Sequence, residues 1–459
     1  MSATHSPSSP FNDQPTFINH LPAELLSIIF RLTVPVDIKF CFTIYHSRRI
    51  LCSACSLWSA IVVSIPELWR FVVGFVDIPD YWRKAGNQIQ LSRDLTFTLV
   101  LARCNTGSAH DLEGIHVQMM LAHAIPHFQR ISYLSIDVHS SSSLPSIKEH
   151  FVRRMPRLKI LKLQCDHDDG PYQKHNMLDD LINDLSVMPN SPPPEKFSCP
   201  HLTLMAVDGA NFRYICQERP EWTNDLGWLS YITVSHFTND VHRLDLNDVE
   251  EFLHKRSKIY SLKFVDVDFD YDADHLPIQS SIYIKDLELE NLSGPLYVHF
   301  FHNHAQYDID TLSIKNCRLD GRLVFPLTCH TLNLEGVHDN EHLYSLLRRW
   351  NSYTVSFRNC PGFNDAVLET VDENSTHISS VERFENIILI GCSNFSIQAL
   401  KRMVELRNPT IEIDYTDLDW MGHVEGPELR SVVVHGYGSE LSAADRQWFE
   451  DHLRKFVWD

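Results

Sequence analysis

The chain has 459 residues, 44% hydrophobic and 22% charged, enough for a small domain and a large one with a full core. Its 59 acidic residues against 40 basic ones leave a formal charge of −19, which excludes the basic footprint that nucleic-acid phosphates require and leaves a tendency toward basic partners. It carries no run of about 18 apolar residues, so no membrane-spanning helix is expected.

Residues 1–16 are rich in Ser and Pro, without an apolar stretch or basic leader, and read as a disordered tail rather than a secretion signal. Residues 17–72 read as three helices. Pro22 suits a first helical turn, where its fixed φ helps and its missing N–H costs nothing. Leu25, Leu26, Ile29 and Phe30 follow at helical spacing. A second run, from about Ile50 to Val63, would place Leu51, Cys55, Trp58 and Val62 on one stripe. Pro66 punctuates the next turn, and Leu68, Trp69, Phe71 and Val72 add another apolar cluster. A unit of about fifty residues buries too little surface to stand alone, and an apolar patch left over on it marks an interaction site. Residues 73–94 read as a linker.

From residue 95 the pattern changes to short runs with apolar residues on alternate positions, the mark of half-buried strands. They are Leu95–Leu99, Leu134–Ile136, Leu161–Leu163, Ile232–Val234, Leu244–Leu246, Leu262–Phe264, Leu287–Leu289, Leu312–Ile314, Leu332–Leu334, Val355–Phe357 and Val432–Val434. From Leu262 the leading positions step by 25, 25, 20 and 23 residues, the period of a leucine-rich repeat. Ile309, Leu312, Ile314, Cys317 and Leu319 fit its full template. Cys360 follows Phe357, and Cys392 follows Leu389, at the offset of Cys317 from Ile314, so three cysteines are expected to fill one turn position rather than act as nucleophiles or ligands. The runs at Ile232 and Leu244 are too close for both to be full repeats. Asn340–Trp350, with Leu343, Leu346 and Leu347 on one face, reads as a return helix. An insertion spans about 166–200: an acidic turn (Asp166, Asp168, Asp169), an amphipathic helix with Leu178, Leu181, Ile182 and Leu185, then Pro192–Pro194. Residues 442–459, with Trp448, Phe449, Leu453, Phe456 and Trp458, read as a helix capping the stack. The expected fold is therefore an α/β repeat protein: a short all-α unit, then an irregular leucine-rich-repeat solenoid over 95–459 with a parallel sheet.

Motifs for catalysis and cofactors are missing: there is no Gly-x-x-x-x-Gly-Lys, Gly-x-Gly-x-x-Gly, Gly-x-Ser-x-Gly or His-Glu-x-x-His. His299, His302 and His304 lack a nearby fourth metal ligand. Asp266, Asp268, Asp270, Asp272 and Asp274 alternate like a calcium loop, but Tyr271 and Pro277 stand where an EF-hand needs Gly and Glu; the run reads as the solvated face of a strand and turn. The eleven cysteines, an odd number spread from Cys41 to Cys392, read as free thiols of a reducing compartment. Cys52 and Cys55 form the only Cys-x-x-Cys and have no second pair, so helix packing is their expected role. No catalytic residue, metal or cofactor is expected.

Leu21, Pro22, Glu24, Leu25, Leu26, Ile29 and Phe30, then Leu51, Cys55 and Trp58, then Ser64, Pro66, Leu68 and Trp69 stand in an order that resembles the F-box, in the form common in mushroom-forming fungi. The resemblance covers about fifty residues, and Ser56 and Leu57 stand where that family carries basic residues. It implies docking on a Skp-family adaptor and through it on a cullin, with the leucine-rich region holding a target protein for ubiquitin transfer in the cytoplasm or nucleus. Leu21, Pro22, Leu25, Leu26, Ile29, Leu51, Cys55, Trp58, Pro66, Leu68 and Trp69 are the adaptor-surface candidates it supplies; some must form the helical core instead, and the sequence does not divide the two sets. An adaptor-bound scaffold without ubiquitin transfer and an enzyme hidden in a repeat-like α/β fold are the other readings.

Overall fold

The structure, a computed structural model, describes residues 17–35, 41–104, 112–151, 153–170, 197–237, 244–256, 258–270, 282–292, 307–317, 327–347, 350–370, 384–408, 428–438 and 440–459. Three helices come first: α1 (Ala23–Thr33), α2 (Cys41–Ala54) and α3 (Ser56–Ser64), followed by a 3-10 turn at Pro66–Trp69. The continuous stripe expected from Ile50 to Val63 is broken at Cys55. That residue is extended, and its thiol accepts the Trp58 amide at 3.4 Å as the N-cap of α3.

Among the described residues sixteen strands follow: β1 (Phe71–Phe75), β2 (Phe97–Ala102), β3 (Ile131–Ser140), β4 (Ile160–His167), β5 (Leu204–Asp208), β6 (Tyr231–Phe237), β7 (Leu244–Asp245), β8 (Ile259–Val267), β9 (Phe269–Asp270), β10 (Ile282–Glu290), β11 (Tyr307–Lys315), β12 (Leu327–Glu335), β13 (Trp350–Arg358), β14 (Asn386–Ile390), β15 (Ser431–His435) and β16 (Lys455–Trp458). Fourteen form one sheet in chain order, every neighbour parallel. Between them run α4 (Tyr81–Leu91), α5 (Glu113–Ala124), α6 (Ile147–His150), α7 (Gly209–Gln217), α8 (Leu246–His254), α9 (Asn340–Leu347), α10 (Asp365–Thr370), α11 (Ile397–Arg407) and α12 (Ala443–His452). Strands that alternate with return helices make a parallel α/β solenoid of the leucine-rich-repeat kind.

One side-chain rung crosses the whole sheet: Val72, Leu99, Leu134, Leu161, Met205, Ile232, Leu262, Leu287, Leu312, Leu332, Val355, Ile387, Val432 and Phe456 are successive partners. The 25, 25, 20 and 23 residue steps are therefore true repeats. Buried side chains on this rung and the one two residues on merge into a core running from Val72 to Trp458. Leu343, Leu346 and Leu347 bring α9 into it, as their spacing predicts.

From β6 to β15 the strands of the main sheet end alike. His236, Asp266, Asn291, Asn316, Gly336, Asn359, Gly391 and Gly436 all have φ between 49° and 68°, the left-handed region that favours Gly and Asn. In the last four repeats that end a strand with Asn or Gly this way, the amide still donates to the next strand: Gly336 to Arg358, Asn359 to Ile390, Gly391 to His435 and Gly436 to Asp459, at 2.8–3.0 Å. The following residue turns inward, and three of these are the expected cysteines. Cys317 Sγ lies 3.5 Å from Leu289 O, Cys360 Sγ 3.4 Å from Leu334 O, and Cys392 Sγ 3.6 Å from Phe357 O. Burial raises the Cys317 thiol to about 11, so Cys317 is a weak buried donor to turn carbonyls, not a poised nucleophile.

Several expectations give way. Residues 73–94 are no linker: β1 and α4 make the first repeat, so the sheet starts at Phe71, before Leu95. β5 was not legible as a strand. The Leu244 run contributes only β7, which pairs with β9 outside the main sheet, and Leu246 opens α8. The C-terminal segment is helix α12 and then strand β16, so Phe456 lies on the sheet's last strand. Asp266 is the left-handed turn residue of β8, 3.4 Å from His236 Nδ1. Of the 166–200 insertion, Asp168 and Asp169 accept hydrogen bonds from Ser141. The proposed helix there, the tail 1–16, Asp272, Asp274 and the histidines at 299–304 lie outside the described residues.

Candidate interaction surface on the N-terminal helices

Helix α1 is apolar on two sides. Leu26 and Phe30 point into a small core with Ile44, Ile61, Val62, Ile65 and Leu68, and Phe30 meets the Trp58 ring at 5.0 Å. Leu25, Ile28 and Leu32 stand at i, i+3 and i+7 on the other side and are 47%, 50% and 81% exposed. Ile50 of α2 and Leu57 of α3 are also exposed.

The eleven candidate residues divide. Leu26 and Leu68 are fully enclosed and cannot reach a partner. Leu21, Ile29, Leu51, Trp58 and Trp69 are half-buried against the small core. Trp69 is fixed by its indole N–H, which donates to Val62 O at 3.0 Å. Cys55 caps α3, and Pro66 opens the 3-10 turn. Pro22 and Leu25 are exposed. Ile28, Leu32, Ile50 and Leu57 were missed, although helical phase would have found the first two: once Leu26 and Phe30 face inward, Ile28 and Leu32 must face out.

The helices are locked onto the first strands. Cys41 and Tyr45 of α2 pack with Val73, Val100 and Ala102 on the sheet face opposite the main core, and the Tyr45 ring meets Phe75 edge-on at 5.5 Å. Arg48 is buried at this joint. Its guanidinium donates to Leu68 O at 3.0 Å and Gln88 Oε1 at 3.1 Å, and lies 4.8 Å from the Trp69 ring centroid. Burial lowers its pKa to about 10. Gln88 meets the free edge of β1 as a neighbouring strand would, accepting from Val73 N and donating to Val73 O.

On the open face the central charges pair among themselves: Lys263 with Glu288 and Glu290, and Lys315 with Glu288, at 2.6–3.0 Å. Among the described residues no group of three or more His, Cys, Asp or Glu could hold a metal ion, and no helix is long and apolar enough to cross a membrane.

The chain is thus an α/β solenoid of leucine-rich-repeat type, with a helical unit of two-sided apolar character fixed to its first strands. No protein-family model matches it, and no curated protein matches it. Among solved structures it is similar to one described as "Crystal structure of Rad7 and Elc1 complex in yeast", at 10% sequence identity and a TM-score of 0.31 over 95% of this chain and 87% of that one. A likeness of that size carries no argument about function.

Proposed function

We infer that this chain is the substrate-recognition subunit of an SCF-type cullin ubiquitin ligase. In this reading α1–α3 are an F-box that docks on a Skp-family adaptor, and through it on a cullin, while the solenoid holds a target protein. The chain performs no bond chemistry; it raises the effective concentration of target lysines near a charged ubiquitin-conjugating enzyme. That work belongs to the cytoplasm or nucleus. The observation that supports it best is the outward stripe of Leu25, Ile28 and Leu32 on a helix whose other face already fills a core. An apolar face of that kind on a small helical unit calls for a protein partner.

The test is capture of the full chain by purified Skp-family adaptor, comparing wild type with a Leu25→Ser, Ile28→Ser, Leu32→Ser variant. These side chains support no core, unlike Trp58, so the fold should survive. Covering each contributes about 1–2 kcal/mol, so the variant should bind at least about 100-fold more weakly. Wild-type chain that fails to bind the adaptor sinks the reading. Binding without ubiquitin transfer in a reconstituted ligase leaves a scaffold that uses its helices for assembly alone.

A further inference from the structure

Along the rim where the strands begin, six successive strands of the main sheet carry a row of aromatic and acidic side chains. Tyr231 of β6 and Tyr260 of β8 stack at 6.0 Å with rings 15° apart. Lys258 Nζ lies 5.1 Å from the Tyr260 centroid and 5.0 Å from that of Tyr283 in β10. The Tyr283 hydroxyl donates to Asp310 Oδ2 of β11 at 2.6 Å. Asp310 stands level with His330 of β12, between the pairs Ile309–Cys329 and Thr311–Thr331, and His330 lies 5.1 Å from Tyr353 of β13. Trp228, three residues before Tyr231, is 68% exposed, and Tyr353 is 55% exposed.

The row is aromatic at both ends and acidic in the middle. Exposed Asp286 of β10 and exposed Asp308 of β11 flank Tyr283. Among the described residues no cation forms an ion pair with Asp286, Asp308 or Asp310; Lys285 is the other cation on this stretch. The Asp310 carboxylate, with Asp308 and Asp286 adding to it, pushes the Tyr283 phenol up to about 12. Lys258 already shows what these rings accept: one ammonium seated against two of them. Arginine suits such a seat better, since its planar guanidinium stacks on aromatic faces and pairs with carboxylates in the same plane. Stacked rings could also hold nucleobases, but the Asp286, Asp308 and Asp310 carboxylates and a chain charge of −19 repel the phosphates that would come with them.

We propose that this rim, from Trp228 to Tyr353, docks an extended arginine-rich segment of the partner protein, its guanidinium groups stacking on Trp228, Tyr231 and Tyr353 and pairing with Asp286, Asp308 and Asp310. Five strand steps span about 24 Å, the length of roughly seven extended residues. The inference rests on reading the solenoid as the target-binding part.

The experiment is fluorescence anisotropy of the full chain with a labelled peptide alternating arginine and serine, and with the same peptide carrying citrulline, a neutral isostere of arginine. The arginine peptide should bind saturably, weaken with added salt, and bind at least tenfold better than the citrulline peptide. An Asp286→Asn, Asp308→Asn variant should lose at least tenfold, and a Tyr231→Ser, Tyr353→Ser variant a similar factor. A Glu341→Gln, Glu405→Gln variant changes the charge equally on the return helices and should bind as wild type does. Absence of saturable binding, equal affinity for both peptides, or equal losses in the helix and rim charge variants would overturn the proposal. Adaptor capture by the same preparations separates the two readings. Capture without peptide binding removes this inference alone, and peptide binding without capture removes the ligase reading alone.

Discussion

Among the described residues Arg48 is a buried cation with no carboxylate partner, which makes the joint between helices and sheet unusually testable. Lowering its pKa from 12.5 to about 10 means that the fold holds the charged form at a cost of about 3 kcal/mol. Against this stand two charge-assisted hydrogen bonds, to Leu68 O and Gln88 Oε1, worth about 1.5–3 kcal/mol each. An Arg48→Met substitution removes both sides of the balance and should cost only about 1–3 kcal/mol. Gln88→Leu is different. It leaves the guanidinium buried with one acceptor fewer and strips Val73 N–H and C=O of their hydrogen bonds to the Gln88 side chain. Removing one partner of a buried charge costs about 3–5 kcal/mol, and orphaned backbone groups add to that. Hydrogen-exchange mass spectrometry over residues 41–104 reads the local opening free energy. The expected order is Gln88→Leu well below Arg48→Met. An Arg48→Met variant that opens as easily as Gln88→Leu, or more easily, would refute the reasoning, because the charge would then be stabilising in its own right.

The other two predictions concern the turns and a buried acid. Gly391 and Gly436 share φ near 65°, but a Cβ on Gly391 would lie 2.3 Å from Asn359 Oδ1, whereas one on Gly436 meets nothing closer than 3.7 Å. Gly436→Ala should therefore cost about 1 kcal/mol for the left-handed backbone, and Gly391→Ala visibly more; equal urea midpoints for the two would show that Asn359 swings aside freely. Asp208 caps α7 and bonds Asn211, yet burial raises its pKa from 3.8 to about 6. A raised carboxyl favours the protonated fold, so its contribution is complete below about pH 4 and is lost as pH rises through about 6, some 3 kcal/mol in all. Relative to Asp208→Asn, which does not titrate, the wild type should lose about 2–3 kcal/mol between about pH 4 and about pH 7. A gap independent of pH in urea unfolding would contradict the assignment.

What the sequence made legible follows from which signals are local. The strands from Leu262 to Val355 could be read, in register, because apolar residues alternate in each and their interval is nearly constant. The cysteines could be placed by offset alone. β1 could not, since Phe71 and Val72 continue the apolar run of the helices without a break, and β5 follows an insertion that hides the interval. Leu26 and Leu68 were grouped with surface candidates because motif order says which residues matter and not which way they point. Only helical phase separates Leu26 from its neighbour Leu25. Arg48 and Gln88 carried no signal, since their meeting depends on how α2 and α4 close around the edge of β1.

That closure turns the sheet into a ruler. With α2 seated on the first two strands, whatever the helices grip stands at a fixed origin, and every later strand is a graduation of about 4.8 Å along one curved axis. The rim around β11 lies seven graduations beyond β2, roughly 34 Å away. Side-chain changes on that rim alter what is held there but not how far away it is held. Distance changes only when a whole repeat is gained or lost, which shifts the held segment by one strand spacing and turns it by one increment of sheet twist. Residues added in the return segments leave the scale untouched, which is how repeats of 20 and of 45 residues can sit on the same rung.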